Sequence, residues 1–93
     1  MKQMYLNHKR IILEDGDGKQ AAVFAVVASV TADEMIRAEQ LGYKAKAKCT
    51  MLQAEYSDQQ FIIIDDVKYA VYRIYIPDGE KVELYVEEKL GVC

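Results

Sequence analysis

Between Phe61 and Glu87 the chain reads FIIIDDVKYAVYRIYIPDGEKVELYVE. Three β-like runs are separated by two short turn signals, so neighbouring strands must run antiparallel. Asp65-Asp66 makes a tight link. In Pro77-Asp78-Gly79-Glu80, proline sets φ, aspartate offers a local acceptor and glycine frees φ. The last run, Lys81–Glu87, puts Val82, Leu84 and Val86 on one face. The middle run is apolar on both faces. By strict alternation Val67, Tyr69, Val71, Arg73 and Tyr75 form one face, and Ala70, Tyr72, Ile74 and Ile76 the other. One small domain has one core, so the second face needs cover from the helix predicted below or from another subunit. Tyr69, Val71, Tyr72, Ile74 and Tyr75 are the candidate subunit-interface residues. The alternative is that tyrosines tolerate partial exposure without any partner.

Upstream the same logic repeats. A first run, Gln3–Leu13, ends at EDGDGK (Glu14–Lys19), whose Asp-Gly pairs suit a turn. A second run, Ala21–Val30, is rich in valine and alanine. Thr31-Ala-Asp-Glu34 then has capping-box spacing, Ala32, Met35 and Ile36 share a helical face, and Gly42 stands at a helix stop. Lys44–Met51 (KAKAKCTM) alternates strictly: Lys44, Lys46, Lys48 and Thr50 face outward, Ala45, Ala47, Cys49 and Met51 inward. The lysine row reads either as a cationic face for phosphates or acidic side chains, or as an edge strand blunted against aggregation. YSDQQ (Tyr56–Gln60) turns the chain. The expected fold is mainly β: a small six- or seven-stranded antiparallel barrel or sandwich with one short helix, a single domain over residues 1–93.

The chemistry is sparse. A net charge of -3 argues against a broad basic surface. His8, the single histidine, has no triad or metal partner in the pattern. Counting Asp15 as the first position of a calcium loop puts Val26 at its closing position, so DGDG reads as a turn. Cys49 reads as a buried thiol and Cys93 as a terminal one, both reduced. Adjacent carboxylates Asp65-Asp66 and Glu87-Glu88 point apart on strands and make no acid/base dyad. No signal peptide is expected, because MKQMYLNHKR lacks an apolar core, and no membrane span, because Ala21–Val30 is too short. Neither catalysis nor a cofactor is expected.

The order of ASVTADEMIRAEQLG, IIIDDVKYAVYRIYI and VELYVEEK, over roughly Leu13 to Gly91, resembles the small head–tail joining proteins of tailed siphophages and prophages, also called head-closure or stopper proteins. That family commonly carries tryptophan in the second run, where this chain has Phe24. The resemblance implies a structural virion protein at the head–tail interface, assembled in the host cytoplasm. It implies a ring of identical subunits below the portal or adaptor, retaining packaged double-stranded DNA without reading its sequence and offering a platform to tail proteins. It also implies that Thr31–Lys48, with Thr31, Glu34, Arg37, Lys44, Lys46 and Lys48, is the segment able to reach the channel. Tail completion is the neighbouring reading. Two readings from other classes are a barrel binding single-stranded nucleic acid on Tyr69, Tyr72, Tyr75 and Tyr85, and an enzyme using Cys49 as nucleophile.

Overall fold

A computed structural model describes residues 8–88. Six strands close into an antiparallel barrel in the order β1-β2-β3-β6-β5-β4, with one helix outside it. They are β1 (His8–Glu14), β2 (Gln20–Ala28), β3 (Ala45–Leu52), β4 (Phe61–Ile64), β5 (Val67–Tyr75) and β6 (Lys81–Glu88); α1 (Ala32–Gln40) joins β2 to β3. A 3₁₀ turn at Gln53–Glu55, not foreseen from the sequence, precedes the Tyr56–Gln60 turn. The predicted first run begins earlier, and its residues before His8 lie outside the described residues.

Local chemistry explains the turns. Asp15 Oδ1 accepts from the N–H groups of Asp17 and Lys19, both at 2.9 Å, so the DGDG carboxylate is spent on its own backbone. Asp65 and Asp66 take φ values of 52° and 70°, the left-handed pair of a two-residue hairpin turn between partners Ile64 and Val67. Aspartate tolerates that region better than most residues. In the last hairpin Asp78 Oδ1 accepts from Glu80 and Lys81 N–H at 3.0 and 3.1 Å. These backbone donors hold the Asp78 carboxyl below its usual range.

Six strands leave an interior that side chains fill. Ile11, Leu13, Cys49, Ile62, Val82, Leu84 and Val86 are fully buried there. The alternation read in KAKAKCTM holds from Ala47 on: Ala47, Cys49 and Met51 are in the core. The inward place expected for Ala45 is corrected, because a register shift between Ala45 and Ala47 sets Ala45 opposite Glu87 and outside the core. The edge-strand expectation for β3 does not hold. It is bonded on one side to β2 and along its length to β6.

Closure is uneven. The β2–β3 seam runs only from Val26–Ala28 to Lys48–Thr50. Short β4 pairs with β5 only up to Ala70, and beyond Val71 β5 is bonded to β6 alone among the described residues.

Candidate functional site

The strict alternation assigned to β5 breaks at a bulge. Val71 faces Val86, but Arg73 already faces Tyr85, so the bulged strand holds one residue more than its partner. The two faces expected from the sequence are therefore corrected. Tyr69 and Val71 pack against this chain's own core. Ile74 lies opposite buried Leu84 on the core side, Tyr75 opposite Glu83 on the outer side, and Arg73 moves outward opposite Tyr85.

The bulge lets adjacent residues Tyr72 and Arg73 reach one acceptor, Glu34 of α1. The Tyr72 hydroxyl donates to Glu34 Oε2 at 2.8 Å, and the Arg73 guanidinium donates to Oε1. Glu34 is 8% exposed, a buried carboxylate satisfied by one cation and one hydroxyl. Thr31 places it: the Thr31 side chain accepts from Glu34 N–H at 3.2 Å and starts the helix. Thus Thr31 caps as expected, while the Glu34 carboxylate serves the barrel. The predicted apolar helix face is not the packed one. Ala38 and Glu34 turn inward, whereas Met35 and Ile36 are half-exposed.

Aromatic rings complete the cluster. Tyr43, just past α1, stacks on Tyr72 with centroids 4.9 Å apart and planes 17° apart. Tyr85 of β6 tilts against Tyr72, and the Arg73 guanidinium lies 4.7 Å from the Tyr85 ring centre. Burial first, then the hydrogen bond to Glu34, pushes the Tyr72 phenol well above its ordinary range. Beside these groups is an open cavity of 310 Å³, lined also by Arg37 and Leu41. A neutral phenol and an ion-paired carboxylate can clasp and position. They offer neither a free base nor an activated nucleophile.

Within the proposed channel segment, 32–40 is helix and Ala45 onward is β3. Arg37 is exposed at the cavity, the Lys44 N–H donates to Glu87 Oε1 at 3.3 Å, Lys46 points outward, and Lys48 is 3.9 Å from Glu83. The four tyrosines considered as a stacking platform do not share one free face: Tyr69 packs on the core, Tyr72 and Tyr85 pack together, and Tyr75 alone is half-exposed. Cys49 is buried, and burial pushes its thiol up to about 12. Sequence reasoning missed Tyr43 and the pairing of Arg73. Their signal was absent because Glu34 and Arg73 stand 39 positions apart.

Comparison with known protein families, curated proteins and solved structures finds no match for the chain.

Proposed function

We propose that the chain is a structural subunit of a tailed-phage head–tail connector, a head-closure protein working by contact and shape. The observation that supports this most is a barrel whose single helix is an excursion between β2 and β3, in the order of elements that the resembled family implies. Exposed apolar residues at several sites, among them Met35, Ile36, Leu41 and Leu52, agree with a subunit that buries surface on assembly. On this reading copies form a ring below the portal or adaptor, tail proteins dock on it, and double-stranded DNA passes through the opening. A net charge of -3 suits a passage in which DNA slides, since each cationic phosphate contact would strengthen retention.

Particle morphology after disrupting the gene tests the reading. Heads that package DNA and then leak it, accompanied by free tails, are expected. Normal infectious particles would remove the proposal.

A further inference from the structure

We propose that the outer edge of β5 beyond Val71 is a docking strip for one extended, basic segment of another protein, added to the sheet beside Tyr72–Ile76. This site is separate from the ring reading and stands without it.

The backbone defines the occupant's conformation. On the β4 side the ladder stops at Ala70, and the last backbone bond there is Val71 N–H to the Gln60 carbonyl at 2.9 Å. Among the described residues, only β6 pairs with this strand from Tyr72 to Tyr75. An unpaired row of N–H and C=O groups selects an extended chain. Soluble proteins usually blunt such an edge with lysine, proline or a covering loop. Here the edge carries Ile74 and Tyr75, at 47% and 48% exposure, with Ile76 at 44% just beyond. The one charged residue in it, Arg73, is committed to Glu34. Ile74 faces the core side yet is half-exposed, because none of the described strands closes the barrel next to it. An added strand would shut that gap with its own apolar residues at every second position.

Charge defines the rest. The hairpin turn at the end of the strip carries Asp78 and Glu80. The 3₁₀ turn with Glu55 is tied to the same place by Gln53 N–H donating to the Glu80 carbonyl at 2.9 Å. Asp58 lies in the loop leading to Gln60. Among the described residues Lys81 is the one cation of this turn region, so the field at the hairpin end is negative and favours a segment bearing lysine or arginine there. At the Tyr72 end Arg37 lines the adjoining cavity, so the occupant's basic residues belong at the hairpin end. A second copy of β5 is the poorer occupant, because its own Arg73 is already spent.

The probes are three synthetic eight-residue peptides: valine alternating with lysine, valine alternating with glutamate, and the lysine peptide interrupted by proline. Each is added to the ¹⁵N-labelled full chain, and amide hydrogen exchange is read by residue. The lysine peptide is expected to slow exchange at Tyr72–Tyr75 by about tenfold or more, and to bind about tenfold more tightly than the other two. Ile74→Lys is expected to abolish the protection while leaving the amides of β1 and β6 unchanged. Should that variant unfold, Ile76→Lys, placed beyond the strand, gives the same readout. Absence of protection, equal binding of all three peptides, or protection that appears with protein concentration alone would each overturn the proposal. The last outcome would make a second copy the occupant.

Discussion

Replacing Arg73 by methionine isolates the Glu34 clasp. Methionine keeps most of the stem but removes the guanidinium, leaving Glu34 charged, 8% exposed and held by the Tyr72 hydroxyl alone. Removing one partner of a buried ion pair costs about 3–5 kcal/mol, most of it from the charge left without compensation. The Arg73 side chain is 35% exposed, so water reaches the outer end of this pair and moves the figure to the low end, about 3 kcal/mol. For a chain of this size that is a fall in Tm of about 12 °C or more. Urea unfolding of wild type, Arg73→Met and Glu34→Gln/Arg73→Met at pH 7 measures the loss. The double variant, which also removes the uncompensated charge, should be more stable than Arg73→Met. A deficit below about 1 kcal/mol, the scale of an exposed pair, or a double variant worse than the single one, refutes the reasoning.

Two further outcomes are expected. The unfolded Cys49 thiol ionises from about 9 while the folded one stays neutral to about 12, so the folded state should lose stability as pH rises through that window; urea titrations at pH 8 and 10.5 should show a shallower decline for Cys49→Ala, and equal declines would contradict the buried thiol. Asp66→Val should cost about 1–2 kcal/mol in thermal unfolding, because a β-branched residue resists a φ of 70°, whereas Asp66→Gly should not; equal tolerance of both would rule out the left-handed turn.

What could be read in advance was whatever neighbours in the chain decide. The Asp65-Asp66 and Asp78-Gly79 turns carry their own acceptors and φ preferences, and both hairpins form where those residues stand. The inward residues Ala47, Cys49 and Met51 of β3 and Val82, Leu84 and Val86 of β6 follow from a period of two, whereas Ala45 is lost to a register shift that period two does not show. The bulge at Tyr72 does not announce itself, because it is a mismatch between β5 and β6 and neither strand alone encodes it. Once it is missed, every face assignment downstream shifts by one, which is how Arg73 and Ile74 exchanged sides. Glu34 was legible as a capping residue and as a candidate site residue, but not as the acceptor of Tyr72 and Arg73. The place of β3 between β2 and β6 was equally hidden, since three lysines look the same on an edge and on the outside of a closed barrel.

Two short seams make the barrel mechanically unequal around its circumference: Val26–Ala28 against Lys48–Thr50, and Ile12–Glu14 against 61–63. A closed ring under heat or tension parts where fewest bonds act together. At the first of these seams the two strands that would separate are the two that α1 joins in sequence. An opened barrel would be a six-stranded sheet whose loose ends stay tethered by α1 and its two short linkers, so reclosure pays little loop entropy. Glu34 decides how long that tether is: clasped to Tyr72 and Arg73, α1 holds one end of it against β5, and with the clasp broken the whole of 29–44 becomes slack. Reclosure of this seam is thus tied to a carboxylate that belongs to none of the strands.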